Sequence, residues 1–105
     1  MNMSKLMRMI VFFDLPVQTK TQRQAATKFR NFLLKDGYYM VQYSVYARIC
    51  SGFDSVNLHE ERLKKNIPER GLIRLLTVTE KQYSNSKVLL GPRNIYDFPK
   101  QLEEF

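Results

Sequence analysis

The fold turns on residues 9–16, Met9-Ile10-Val11-Phe12-Phe13-Asp14-Leu15-Pro16, an apolar run with one acid near its end. A stretch this apolar reads as a central strand buried on both faces, from about Arg8 to Asp14, closed by Leu15-Pro16. A carboxylate at the end of such a strand is costly to leave unpaired. It either closes the turn before Pro16 by accepting backbone N–H bonds, or it holds a cation. No second acid lies nearby in sequence, since Asp36, Asp54 and Asp97 fall at helix ends or loops.

Downstream of the strand, Thr19-Lys20-Thr21-Gln22 has the pattern of a capping box, and the helix it opens is expected to run to about Lys35, with Gly37 as its left-handed stop. At 100° per residue, Ala25, Ala26, Phe29, Phe32 and Leu33 share one arc. Lys20, Arg23, Lys28, Arg30 and Lys35 fall on the other half, with no acid between Asp14 and Asp36. Such a face is either solvated or neutralised by a polyanion. With a formal charge of +7 on 105 residues, nucleic acid is the favoured partner over a membrane surface.

Residues 39–49 alternate, with Val41, Tyr43, Val45, Ala47 and Ile49 on one face and Met40, Gln42, Ser44, Tyr46 and Arg48 on the other. Eleven residues is long for one strand, so a bulge or sharp bend near Gln42-Tyr43-Ser44 is expected, with one bent strand or two left open. Arg48 either joins the cationic surface or pairs with a local acid. A second helix is expected from about Asp54 to Asn66, with Val56, Leu63 and Ile67 inward. His59, beside Glu60 and Glu61, reads as a solvated surface histidine. Gly71 introduces a further apolar strand, Leu72 to Val78, read as central, and Val88-Leu89-Leu90 a short extra one.

The order is βαββαβ, an α+β ferredoxin-like arrangement of one domain over 1–105, with residues from about 80 to 105 as an extension for dimer or partner contacts. Two helices cover one sheet face. The other needs a cover that so short a chain does not supply, which points to a homodimer, with the C-terminal strand a candidate for crossing to the second copy. Cys50 is the only cysteine and His59 the only histidine, so an internal disulfide and a cysteine-based zinc site are excluded. No secretion signal or membrane-spanning segment is read, and a cytoplasmic location is expected.

The strand ending in Phe13-Asp14, the basic helix, the element Gly37-Tyr38-Tyr39-Met40-Val41-Gln42-Tyr43-Ser44-Val45-Tyr46 and the strand Gly71-Leu72-Ile73-Arg74-Leu75 together resemble the second universal CRISPR-associated adaptation family, Cas-two. The tail Val78-Thr79-Glu80-Lys81-Gln82-Tyr83 is similar to variants that accompany Cas-nine systems. The resemblance implies a homodimer that binds duplex DNA (the protospacer) and bridges the Cas-one integrase during spacer acquisition. Its alternative implication is a magnesium-dependent endonuclease acting on RNA or DNA. In that picture Asp14 is both catalytic and metal-binding, with Mg2+ shared between the two Asp14 side chains of the dimer. Lys20, Arg23, Lys28, Arg30, Lys35 and Arg48 are the candidate nucleic-acid contacts. Relatives commonly have tyrosine before the aspartate; Phe13 has no hydroxyl to offer.

Overall fold

Alternation along the first strand sorts its side chains between two environments. In a computed structural model of the chain, which describes residues 5–92, β1 (Met7–Asp14) sends Met7, Met9, Val11 and Phe13 into a core shared with Phe29, Leu33, Val56 and Leu63. Those partners come from α1 (Lys20–Lys35) and α2 (Phe53–Lys64), which cover that face of the sheet. Phe13 meets Phe29 edge to face at 5.3 Å and Tyr46 at 5.6 Å.

The sheet has the order β2 (Tyr39–Gln42), β3 (Val45–Cys50), β1, β4 (Leu72–Thr79), with every neighbouring pair antiparallel. This is the expected α+β, ferredoxin-like arrangement. The middle run is two strands, joined by the two-residue turn Tyr43-Ser44, with a register shift between Met40 and Gln42. Ser44 adopts a φ of 63°, a turn conformation usually given to glycine or asparagine. The Phe13 N–H donates to the Ser44 carbonyl at 3.0 Å, tying the turn to the end of β1.

α1 begins as expected. The Thr19 hydroxyl accepts from the Gln22 N–H, and the Gln22 side chain returns a bond to the Thr19 N–H. The same Thr-x-x-Gln pattern recurs at Thr79 and opens a short helix, α3 (Glu80–Ser84), at the end of β4.

Three expectations need correction. β4 lies at the sheet edge, not its centre; its apolar residues are explained by an open outer side and an open second face, and Leu72 and Leu76 are exposed. Val88-Leu89-Leu90 forms no strand in the chain: β4 leads into α3, and Leu89 and Leu90 stand 91% and 96% exposed. Ile67 is exposed rather than in the core, because α2 ends at Lys64 and leaves it beyond the helix. Residues 93–105 of the expected C-terminal extension, and Asp97 with them, lie outside the described residues. Among those described, no helix is long and apolar enough to cross a membrane.

Candidate active-site face

The second face of the sheet, away from α1 and α2, carries Arg8, Ile10, Phe12 and Asp14 from β1. In register across from them on β4 stand Val78, Leu76, Arg74 and Leu72. α3 covers one end. Arg8 is fully buried there, with its Nη2 2.7 Å from each Glu80 carboxylate oxygen, Nη1 donating to the Tyr39 hydroxyl at 2.5 Å and the guanidinium 4.4 Å from the Tyr83 ring centre. Ile10, Ala47 and Tyr83 pack into a small second core beside this pair.

The other end is open. Phe12, Leu72 and Leu76 are 37%, 59% and 48% exposed, and Asp14 stands exposed among them. The carboxylate is therefore not buried within a single chain, although its strand is covered on both faces up to Val11. Among the described residues Asp14 makes no side-chain hydrogen bond or ion pair, so the turn-closing role does not apply. It lines a shallow hollow with Pro16, Gln22, Arg70, Gly71 and Leu72.

Gly71 fits the β4 entry against β1. Its φ is +116°, and a Cβ there would lie 2.7 Å from both the Asp14 carbonyl oxygen and Leu15 Cδ2. Gly71→Ala is therefore expected to cost about 1–3 kcal/mol, read by urea denaturation, because backbone at the Asp14 turn has to move. A loss of stability no larger than that of an ordinary surface substitution would mean that the turn yields freely.

Magnesium is content with one or two protein carboxylates and completes its shell with water. Among the described residues no three His, Cys, Asp or Glu side chains form a metal-binding group. An exposed, unpaired Asp14 can offer such an ion one protein carboxylate.

The basic helix divides. Lys20, Arg23 and Lys28 line one shallow groove with Gln24, Thr27 and Asn31 on the outer face of α1. Arg23 also donates to the Val17 and Gln18 carbonyls at 3.2 and 3.1 Å, so its guanidinium is partly spent on the loop before the helix. Arg30 is half-buried and reaches the Thr27 hydroxyl at 3.4 Å, while Lys35 is exposed in the last turn.

Arg48 lies elsewhere, in a buried cluster on the helix-covered side. It donates to the Asp36 carbonyl, lies 5.8 Å from the Tyr38 ring centre and sits 3.1 Å from His59 Nδ1. Of its two readings, cationic surface or a local acid, the structure sets Arg48 beside Asp36. His59 is likewise buried rather than solvated. Its Nδ1 is 2.9 Å from Asp36 Oδ2, and Arg62 pairs with the other oxygen of the same buried carboxylate. Nδ1 thus stands between a guanidinium donor and a carboxylate acceptor, and these contacts orient the ring. Burial, followed by the Asp36 charge, raises the Tyr38 hydroxyl pKa well above its ordinary value.

The family model described as "CRISPR associated protein Cas2" matches residues 7–86, from the first residue of β1 to just beyond α3. The chain belongs to the Cas2 family. A relative from Acidovorax ebreus (strain TPSY), named "CRISPR-associated endoribonuclease Cas2", is 56% identical over 81% of this chain and 83% of its own. One of the same name from Campylobacter jejuni is 46% identical over 83% of this chain; the match spans 61% of that longer protein. A solved structure titled "Crystal structure of cas2" aligns with a TM-score of 0.59 over 86% of this chain and 91% of that one, at 21% identity, and supports the fold.

Within this Cas2 fold, sequence reasoning missed four side chains of the second face. Arg8 and Glu80 are brought together across 72 positions, so no local pattern could mark them. Arg70 lines the hollow beside Asp14 and had no such signal, whereas that of Arg74 was readable: a cation at alternate spacing within an apolar strand, Leu72-Ile73-Arg74-Leu75-Leu76, shares a face with its apolar neighbours.

Proposed function

We propose that the chain is a dimeric, magnesium-dependent endoribonuclease whose centre is a pair of Asp14 side chains brought together across a twofold axis. The observation that carries this reading is an exposed carboxylate without a partner among the described residues, set in an open apolar sheet face. Relatives bearing the endoribonuclease name lend it support and place it ahead of a purely bridging role.

The apolar surround supplies the reason to dimerise. Stacking the open ends of two such sheets buries Phe12, Leu72 and Leu76 from both copies, and an isologous contact brings each residue of the face near the axis to its own equivalent. The exposed Val88-Leu89-Leu90 run then crosses to the unpaired edge of the second copy's β4, where its backbone finds partners it lacks in the single chain. The two Asp14 carboxylates hold the metal. When bound, magnesium supplies a more acidic water and a Lewis acid for a phosphoryl oxygen. The strand ladder of β1 and the close Gly71 contact fix the backbone at Asp14, so each carboxylate is held on a rigid element.

Cleavage of labelled RNA and labelled duplex DNA by wild type and Asp14→Ala, with magnesium or with a chelator, tests this function. RNA cleavage confined to wild type with magnesium is expected. Equal cleavage by both proteins, or none by wild type, contradicts it.

A second reading rests on a different observation, the cationic groove of α1. In it the same dimer, with its charge of +7 doubled, holds duplex DNA by the backbone and bridges the Cas-one integrase in the cytoplasm. Lys20→Gln/Lys28→Gln is expected to make the log–log salt dependence of duplex binding shallower by about 2 for each subunit engaged. Fluorescence anisotropy over a salt series measures it, and an unchanged slope removes α1 from the DNA contact.

A further inference from the structure

Among the described residues, the strands of the second face carry three charged side chains, Arg8, Asp14 and Arg74. Arg8 is already paired with Glu80. Arg74 lies opposite Phe12 and Asp14 opposite Leu72, so these two are diagonal neighbours across β1 and β4. Diagonal side chains in an antiparallel ladder start about 7–8 Å apart, a gap that a long arginine spans to bring its guanidinium against a carboxylate. Both residues are exposed in the single chain, and no ion pair joins them among the described residues. Their setting explains this: an ion pair in water gains too little to fix a long side chain.

Dimerisation changes that setting. Arg74 has Leu72 and Leu76 beside it on β4 and Phe12 across from it, the same side chains that a second copy covers. A guanidinium and a carboxylate taken out of water together cost far less than either alone. Two Asp14 carboxylates and two Arg74 guanidiniums cancel, so the covered face is neutral with no metal in it. One divalent cation on the Asp14 pair leaves two positive charges in excess. The two side chains differ in how they meet that excess. Asp14 is short and its backbone is fixed in the ladder, whereas the flexible stem of Arg74 lets its head swing out to water at the rim.

We propose that Arg74 is the counter-cation of Asp14 in the metal-free dimer and sets the affinity of the paired carboxylates for magnesium. It neutralises them when the ion is absent and gives them up when the ion is bound. The inference rests on the paired-Asp14 reading and adds to it a residue that tunes the centre without touching RNA. Two linked consequences follow from the charges. Without the guanidinium, two carboxylates face each other across the axis, so the metal-free dimer loosens and the ion binds more tightly. Without the carboxylate, as in Asp14→Asn, Arg74 still has an amide oxygen to donate to and water at the rim, so the metal-free dimer holds.

Metal binding and assembly test this without any assay of cleavage. The probe is Mn2+, which takes the same oxygen ligands as magnesium and whose free ion gives an EPR signal that binding removes. Full-length wild type, Arg74→Met, Asp14→Asn and Lys81→Gln are titrated with Mn2+, and their dimers are followed by sedimentation equilibrium in EDTA and in magnesium. Arg74→Met keeps an apolar stem and loses the charge. It is expected to bind Mn2+ about tenfold more tightly than wild type and to dimerise about tenfold more weakly in EDTA, a defect that magnesium repairs. Lys81→Gln removes an equal charge from α3, at the other end of the face, and is expected to change neither. An equal gain in Mn2+ affinity for Lys81→Gln overturns the proposal, since net charge then explains it. Mn2+ binding that is lost in Asp14→Asn yet equal in wild type and Arg74→Met keeps the paired Asp14 centre and removes Arg74 from it. Mn2+ binding that is equal in Asp14→Asn and wild type removes the centre itself, and this inference with it.

Discussion

Asp14→Asn is expected to lower magnesium-dependent RNA cleavage by about a thousandfold, with little change in fold. Asparagine keeps the shape of the side chain and removes its charge. Asp14 is exposed and makes no bond within the chain among the described residues, so nothing in the folded chain depends on that charge. In the absence of magnesium the dimer should hold or tighten, because two like charges near the axis are removed. Single-turnover cleavage with saturating magnesium measures the rate loss, and urea denaturation the unchanged fold. A loss of activity matched by a loss of stability would instead make Asp14 a structural residue.

The largest effect on stability is expected at the opposite end of the same face. Glu80→Ala should destabilise the protein by about 3–5 kcal/mol, a large share of a typical total of roughly 5–15 kcal/mol. The reason lies in what is lost. Arg8 is fully buried, with its partner only 3% exposed, so removing the carboxylate takes two short hydrogen bonds and an adjacent opposite charge from a buried guanidinium. α3 then loses its anchor, and Tyr83 its seat over Ile10 and Ala47. An apolar replacement of both partners, Arg8→Met/Glu80→Leu, should recover most of the loss, since neither ion then has to be desolvated. Urea denaturation of the three variants at one protein concentration provides the comparison. Equal stability of Glu80→Ala and wild type would mean that Arg8 reaches water.

How far the sequence reaches depends on whether each feature is local. The capping box at Thr19 and the 3.6-residue spacing of Ala26, Phe29 and Leu33 lie within one helix, and both are as read. The repeat of that box at Thr79-Glu80-Lys81-Gln82 carries the same local signal and opens α3, a helix absent from the βαββαβ reading. Apolar composition alone did not place β4, because an edge strand with an open face looks as apolar as a central one. The turn at Tyr43-Ser44 is stamped by no glycine or asparagine, and Ser44 takes its positive φ in a turn tied to β1. His59 and Arg48 belong to a cluster assembled from the end of α1, β3 and α2, so their burial follows from tertiary packing around Asp36. At the site itself, Asp14 was legible as one odd acid in an apolar strand. Its exposure was not, since that depends on α3 stopping short of Phe12 and leaving the end of the face open.

The claim that two Asp14 side chains make one centre is tested most directly by mixing subunits. Wild-type and Asp14→Asn chains are unfolded together in varied ratios, refolded into dimers, and assayed for RNA cleavage with magnesium. If both carboxylates are needed, activity follows the square of the wild-type fraction, and an equal mixture retains about a quarter of the wild-type rate. Activity in direct proportion to that fraction, about half in the equal mixture, would show that each chain cuts with its own Asp14 and would contradict the shared centre.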